Sequence, residues 1–307
     1  RIDGEFSAAT FHHPQGCALA GDLLFVADTE NHLVRMVDLS KRTVATIAGT
    51  GQQGKPINAF PGWNGRAGNG SRRQWSGPPL RTPLSSPWAL AVHRDHLFIA
   101  MAGYHQIWRY ALDGSQIGPF AGNGQEDIVD GIRLSGQPYE GGSSFAQPSG
   151  LSMDGQWLYV ADSEGSSIRA VPLEGTGQVR TVVGTSHLAQ DRLFSFGDVD
   201  GRPGVARFQH CLDVVAHEGK LYVADTYNHK IREVDLRTHE TKTLSGTGRP
   251  GTADHPAQFH EPAGLAVLNG KLYVADTNKH LLRSIDLASG PVATISISGL
   301  TAPGGTF

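Results

Sequence analysis

The sequence has little cysteine, little charge and no long hydrophobic run. Cys17 and Cys211 stand far apart among 307 residues and form no Cys-x-x-Cys pair, which excludes a thiol redox motif and a cysteine-ligated zinc site. We expect both to be small buried hydrophobes. Charged residues make up 18% and the net charge is −3, which argues against a protein that mainly coats nucleic acid. No apolar run approaches ~18 residues, so no membrane partner is expected.

Glycine, by contrast, is abundant, with 39 among 307 residues, well above the usual share of about 7%. Glycine and proline together stay below the ~25–30% that is typical of low-complexity disorder. The 12 Phe, 7 Tyr and 5 Trp can supply a core. The composition therefore indicates an ordered, turn-rich protein. Because the chain begins Arg1-Ile2-Asp3-Gly4, without Met or a signal peptide, we interpret it as part of something longer.

A short apolar segment recurs along the chain and organises it. LeuPheValAlaAsp stands at 24–28, LeuTyrValAlaAsp follows three times, and a degenerate LeuPheIleAlaMet stands at 97–101. Each copy lies within a core of about 40 residues, and the connections between cores vary in length. The five cores are 11–49, 84–122, 145–184, 208–246 and 259–297.

Each core predicts four short strands, because β-branched and aromatic residues fill them while Gly, Asn, Asp and Pro separate them. A period of about 40 residues with four strands is typical of a β-propeller blade. The sequence therefore predicts one all-β domain over 1–307, with five recognisable blades.

The most regular copies resemble NHL repeats, as in AlaAspThrGluAsnHisLeu 27–33 and AlaAspThrTyrAsnHisLys 224–230. Other strings, such as IleAlaMetAlaGly 99–103 and PheGlyAspValAspGly 196–201, resemble the family of thioredoxin-like/NHL-repeat fusion proteins, of the NHL-repeat-containing protein 2 type. This resemblance implies a six-bladed NHL-type β-propeller that follows a thioredoxin-like domain. It also implies a cytoplasmic protein with a protein partner.

Two departures from that family are visible. No thioredoxin-like sequence stands within the chain, and five complete cores are present where the family implies six. Residues 1–10 resemble the trailing connection of an upstream blade. We expect that the chain lacks one blade of the ring, and a true five-bladed ring is the alternative.

Three polar residues recur at fixed places in the cores, and we interpret all three as structural. The Asp at the end of the second strand suits an Asx-type turn. The His in the following turn predicts turn packing, and the Arg predicts pairing with neighbouring acids or bridging between blades. The members are Asp28, Asp162, Asp225 and Asp276; His32, His105, His229 and His280; and Arg35, Arg169, Arg232 and Arg283.

The central channel is where an enzyme of this fold would hold Ca²⁺ or Zn²⁺, because ligands from several blades can converge there. The residues predicted to face it are Gln15, Trp88, Ser149, Asp213 and Ala263. Asp213 is the strong ligand among them. In the fourth core HisCysLeuAsp 210–213 replaces the usual Pro-x-Gly, which makes His210 and Asp213 candidates. No cofactor or metal is expected.

The longest connection, 50–83, is basic and aromatic, with no acidic residue from Lys41 to Arg94. Such a loop could stack on bases and neutralise phosphate, bind another anion, or pack against a partner domain. The residues that carry these hypotheses are Lys55, Trp63, Arg66, Arg72, Arg73, Trp75 and Arg81.

The sequence favours a non-catalytic NHL-repeat propeller that acts as a protein-interaction or ligand-binding scaffold. The alternatives are a metal-dependent hydrolase or lyase with its site in the channel, and RNA binding through 55–81. The candidate binding residues are Trp63, Arg66, Arg72, Arg73, Trp75, Arg81, Trp88, His105, Trp108, His210 and Asp213.

Overall fold

The chain folds into an all-β propeller with five four-stranded antiparallel blades, as the repeats predict. The structure is a computed structural model that describes residues 1–55, 76–134, 141–175 and 177–298. In blades 1 and 3 the preceding connection adds a two-residue strand to the outer edge of the sheet. No helix within the described ranges is long and apolar enough to cross a membrane.

In each blade the four main strands lie side by side in chain order, from the central channel outward. Blade 1 contains β1–β5, at Gly4–Glu5, Cys17–Ala20, Leu23–Asp28, Leu33–Asp38 and Thr43–Ala48. Blade 2 contains β6–β9, at Pro87–His93, His96–Met101, Gln106–Ala111 and Ile117–Ala121. Blade 3 contains β10–β14, at Gly131–Ile132, Pro148–Met153, Trp157–Asp162, Ser167–Pro172 and Gln178–Val183.

The last two blades have four strands each. Blade 4 contains β15–β18, at Cys211–His217, Lys220–Asp225, Lys230–Asp235 and Thr241–Ser245. Blade 5 contains β19–β22, at Pro262–Leu268, Lys271–Asp276, Leu281–Asp286 and Val292–Ile295. Short 3-10 helices lie at Thr29–Asn31, Pro79–Arg81, Ala102–Tyr104, Thr226–Asn228 and Thr277–Lys279.

The first long strand of each blade is innermost, and these strands pack on one another in the order β2, β6, β11, β15 and β19. A four-stranded sheet has two faces to bury, and stacking covers both. The hydrophobic core is accordingly divided into four clusters, one between each pair of consecutive blades. Representative pairs are Phe25 with Leu97, Phe98 with Leu151, Tyr159 with Val214, and Tyr222 with Val274.

The outer faces of blades 1 and 5 remain open in the described part of the chain. Leu282 of blade 5 is 44% exposed, whereas Ile231, at the same place in blade 4, is fully buried against blade 5. Leu19 of blade 1 and Leu268 of blade 5 are also exposed. The prediction that both cysteines are buried is wrong for one of them: Cys211 is buried, but Cys17 lies exposed on β2 of blade 1.

Candidate functional site

The repeated Asp and Arg form a buried clamp inside the blade. In blade 1 the Asp28 Oδ2 accepts a hydrogen bond from Arg35 Nη1 at 2.8 Å, and Asp28 Oδ1 accepts one from the His12 N–H at 2.7 Å. The Arg35 guanidinium lies 5.0 Å from the centre of the Phe11 ring and also donates to Asp3. The clamp therefore ties the connection that precedes the blade to its second and third strands.

The same clamp recurs in blades 3, 4 and 5, and none of its arginine side chains is exposed to solvent. The pairs are Asp162 with Arg169, Asp225 with Arg232, and Asp276 with Arg283, over Phe145, Phe208 and Phe259. The structural role expected for these Asp residues holds, but the Asx-type turn is wrong. Each carboxylate accepts from a backbone N–H 16 residues earlier and not from a backbone N–H of its own turn. From the turn itself, the side-chain amides of Asn31 and Asn228 donate to Asp28 and Asp225.

Blade 2 replaces the ionic clamp with an aromatic one. Trp108 takes the place of the arginine, is fully buried, and donates from Nε1 to the Gln106 Oε1 at 3.0 Å. The Tyr104 ring stacks on it at 5.3 Å. Met101 stands where the other blades have Asp, so no charge is left without a counter-ion. Trp108, a candidate binding residue, lies inside this packing.

The repeated His joins each blade to the next. His32 Nδ1 accepts from the Ser86 N–H at 3.1 Å, and His229 Nδ1 accepts from the Glu261 N–H at 3.2 Å. His105 makes the corresponding bond to Gln147 at 3.3 Å. Burial lowers the pKa of His105, which favours the neutral ring with a free lone pair. In blade 3 the Ser166 hydroxyl accepts from the His210 N–H instead.

The fifth copy of this bond is incomplete in the described part of the chain. His280 of blade 5 is exposed, and no hydrogen bond to its ring occurs among the described residues. His13 has the position in blade 1 that Ser86 has in blade 2 and Glu261 has in blade 5, and it is also exposed. The inter-blade bond is thus made four times around the ring and is open between blades 5 and 1.

The channel contains a cavity of about 400 Å³ to which every blade contributes. The lining residues at the start of the innermost strands are Gln15, Trp88, Ser149, Leu212 and Ala263. The prediction that Asp213 holds this place is corrected by one residue, because Asp213 occupies the position of Gly16, Gly150 and Gly264 in the other blades. It still lines the same cavity.

Asp213 is a carboxylate deep in the channel that no described cationic side chain contacts. Its Oδ1 accepts from the Val214 N–H and its Oδ2 accepts from the Leu265 N–H of blade 5, both at 2.8 Å. Burial raises the pKa of Asp213 to about 7, although both N–H groups act in the opposite direction.

Stability is expected to fall with rising pH because of Asp213. Between the ordinary carboxyl pKa and pH 7, Asp213 is protonated in the folded chain but ionised in the unfolded chain. Unfolding therefore releases a proton, and it becomes more favourable as the pH rises. The free energy of unfolding should drop by about 2 kcal/mol from pH 5 to pH 7 through this group. The difference between wild type and Asp213→Asn in urea titrations measures it, because the histidines titrate in both. Parallel pH profiles would contradict it.

The channel opens into a second cavity of about 220 Å³, which we call the mouth. Trp88, Ser149, Leu212 and Ala263 line both cavities, so the two are continuous. The mouth adds Glu164 of blade 3, His210 and Tyr227 of blade 4, and Glu261 of blade 5. The His210 and Tyr227 rings stack at 4.3 Å with planes 11° apart.

The electrostatics of the mouth are negative. Glu164 Oε1 lies 3.6 Å from His210 Nδ1, and Asn278 donates to the Glu261 carboxylate at 2.6 Å. Burial lowers the pKa of His210 despite the two glutamates, which favours the neutral imidazole. Within the described residues no three His, Cys, Asp or Glu side chains come together as a metal site.

The structure brings together three candidate binding residues, Trp88, His210 and Asp213, along one continuous channel and mouth. His105 lies in the bond between blades 2 and 3, and Arg81 is exposed at the end of a 3-10 helix. The other candidates lie outside the described residues: Trp63, Arg66, Arg72, Arg73 and Trp75.

Sequence reasoning missed Glu164, Tyr227 and Glu261. Glu164 and Tyr227 directly follow the Asp-Ser and Asp-Thr of the repeat, and Glu261 stands two residues after the repeated Phe. Residue type varies at these places from blade to blade, so the repeat carries no signal for them. The signal that could have found them is position: both places occur once per blade, at the same end of the ring.

Comparison with known proteins places the chain among repeat propellers. The NHL repeat family model matches residues 259–283, and the LVIVD repeat model matches residues 13–50. Human NHL repeat-containing protein 2 is 40% identical over 97% of the chain. The Arabidopsis thaliana protein SUPPRESSOR OF QUENCHING 1, chloroplastic, is 41% identical over 98% of the chain. The chain spans 42% and 28% of the lengths of these two relatives.

Solved structures of low identity share the fold. A nidogen/laminin complex chain is similar at a TM-score of 0.59 and 14% identity, over 94% of this chain and 83% of that one. A streptogramin B lyase is similar at a TM-score of 0.55 and 12% identity, over 97% of this chain and 73% of that one. At such identities the likeness concerns the propeller architecture and carries no activity across.

Proposed function

Because this chain is an NHL-repeat β-propeller, similar over nearly all its length to part of NHL repeat-containing protein 2, we propose that it is a non-catalytic interaction platform. The observation that carries the proposal is how the repeated polar residues are used. The Asp and Arg close clamps within blades, and the His tie blades to their neighbours. What is left for recognition is the channel mouth and the connections.

The connection 185–207 fits such a role, because it exposes apolar rings that no blade covers. Phe194 is 74% exposed and Phe196 is 50% exposed, and exposed aromatic residues are enriched in protein interfaces. The partner we propose is a protein or an adjacent thioredoxin-like domain. The location of one relative is given as chloroplastic, so a cytoplasmic location stays a prediction.

The platform is tested by comparing the proteins that the immobilised chain retains from cells of its source. Wild type and Arg94→Ser, a control on the β6–β7 turn, are expected to retain the same partner in stoichiometric amount. Phe194→Ser/Phe196→Ser is expected to lose it. Retention of that partner by the double variant would contradict the connection as the binding face.

We further propose that the ring has six blades and that a sixth blade fills the space between blades 5 and 1. Two hydrogen-bonding groups without a partner among the described residues support it: the His280 ring is an acceptor on one side of that space, and the His13 N–H is a donor on the other. The corresponding groups of neighbouring blades bind each other. The exposed Leu282 has the position that is buried in the other blades.

The inner glycines support the same proposal. A Cβ added to Gly16 would lie 2.5 Å from the Trp88 carbonyl oxygen of blade 2, and one added to Gly150 would lie 2.6 Å from the Asp213 Cα of blade 4. At Gly264 the nearest atom would be the Ala275 Cβ, at 3.6 Å. Among the described residues, no strand lies beside the third position as it does beside the first two. A glycine there is explained by a further strand that approaches as closely.

A metal-dependent hydrolase or lyase remains the alternative that is simplest to test. It requires several ligands from different blades. Elemental analysis of the purified chain decides it: a metal in stoichiometric amount, with an activity that a chelator removes, would replace the platform with an enzyme.

RNA binding through 55–81 is tested by the salt dependence of binding and its loss on Arg72→Glu/Arg73→Glu.

A further inference from the structure

The mouth of the channel has the chemistry of a site for a positively charged group. It is a partly open cavity of about 220 Å³, large enough for the end of one long side chain. Its walls come from blades 2 to 5, with Glu164 of blade 3 on one side, Glu261 of blade 5 on the other, and the stacked His210 and Tyr227 of blade 4 between them. No described Lys or Arg lines it. We propose that the mouth binds the guanidinium or ammonium group of a basic side chain on a protein partner.

One of the two carboxylates, Glu261, is held in place by a hydrogen bond before a ligand arrives, and the other, Glu164, also lines the mouth. Glu164 lies against His210 at 3.6 Å, and the Asn278 amide fixes Glu261 at 2.6 Å. Burial disfavours the charged form of His210, so its ring is a weak source of counter-charge. Charge-assisted hydrogen bonds to carboxylates are stronger than neutral ones. The mouth thus offers two acceptors of one sign without an internal cation.

The aromatic wall adds a second contribution. Tyr227 is 48% exposed, and its other face is fixed against His210, so the ring is held at the surface of the cavity. A cation within ~6 Å of a tyrosine ring is attracted by the ring quadrupole. Because a guanidinium is planar, it can stack on such a ring while its edge donates to carboxylates.

The third contribution comes from the floor. The mouth continues through Ser149 and Leu212 into the channel where Asp213 lies. Each buried Asp of the repeat has an arginine partner, but Asp213 has backbone N–H partners. A long basic side chain that enters from the mouth points toward Asp213, which attracts a cation once the pH exceeds its pKa of about 7.

This inference rests on the proposed interaction role and names the chemistry of the partner, but its test uses purified components. The probes are a blocked Gly-Gly-Arg-Gly-Gly peptide, the same peptide with neutral citrulline, and agmatine, a small cation that carries a guanidinium and an ammonium group. Isothermal titration with the 307-residue chain is expected to show saturable binding of the arginine peptide, weakened by added salt, and none of the citrulline peptide.

Variants assign the binding to the mouth. Glu164→Gln/Glu261→Gln is expected to weaken the arginine peptide by at least about tenfold. Glu218→Gln should leave it unchanged, since that carboxylate is exposed at the other end of β16. Agmatine binding of similar strength to that of the peptide shows that a small organic cation is sufficient for binding to the mouth. Binding of agmatine with no binding of the peptide would overturn a protein as the source of the cation. No saturable binding, or equal binding by the double variant, overturns the site. These titrations use no cellular partner. Their outcome therefore does not depend on whether Phe194→Ser/Phe196→Ser loses such a partner.

Discussion

Replacement of Arg232 by alanine is expected to lower the free energy of unfolding by about 3–5 kcal/mol, because it leaves a buried carboxylate without its counter-ion. Arg232 is fully buried, binds Asp225 at 2.8 Å and Asp200 at 2.6 Å, and lies over Phe208. Urea denaturation followed by circular dichroism measures the loss.

The matched control is Lys41→Ala. Lys41 also binds an aspartate, Asp38, at 3.0 Å, but the lysine side chain is 79% exposed. Exposed ion pairs contribute ~0–1 kcal/mol, so this variant should unfold nearly like wild type. Equal losses for the two variants would contradict the view that burial makes the clamp indispensable.

Blade 2 indicates how the loss can be reduced. It has Met101 and Trp108 where blade 4 has Asp225 and Arg232, and it buries no charge there. A buried ion pair can be exchanged for apolar residues without loss, whereas removal of one partner costs stability. Asp225→Met/Arg232→Trp should therefore be more stable than Arg232→Ala. A double variant less stable than the single one would show that the clamp is specific to its blade.

Gly150→Ala is expected to destabilise the chain by about 3 kcal/mol, because the added methyl would meet the backbone of blade 4. Its Cβ would lie 2.6 Å from the Asp213 Cα and 2.7 Å from Oδ1, so two innermost strands must move apart. Gly264→Ala is the control, with its nearest neighbour at 3.6 Å. In the 307-residue chain it should unfold like wild type, and an equal loss at both positions would contradict open space beside blade 5.

The blades could be predicted from the sequence because five similar cores report the same structure five times. The strand sequence LeuTyrValAlaAsp appears where expected, at β12, β16 and β20. The role of Arg232 was predicted as pairing with neighbouring acids or bridging between blades, and it pairs with Asp225 of its own blade and Asp200 of the preceding connection. The Asp200 contact spans 32 residues and leaves no local signal, whereas Asp225 stands 7 residues before Arg232, the spacing that recurs in blades 1, 3 and 5.

The mouth could not be predicted, for a different physical reason. Glu164, His210 and Glu261 belong to three blades, and they meet because blades pack around a channel. Their neighbourhood is set by the ring and not by a motif. The burial of Cys17 was predicted wrongly for a related reason. Whether Cys17 is buried depends on whether another blade packs on β2, and the sequence of blade 1 holds no information about that neighbour.

The central claim, that these five blades belong to a ring with a sixth, is tested most directly by Gly264→Ala in a longer product of the gene. When the sixth blade is present, its innermost strand should crowd Gly264 as Trp88 crowds Gly16 and Asp213 crowds Gly150. The account predicts a loss of about 3 kcal/mol there and almost none in the 307-residue chain. A substitution that is neutral in both would contradict a closed six-bladed ring.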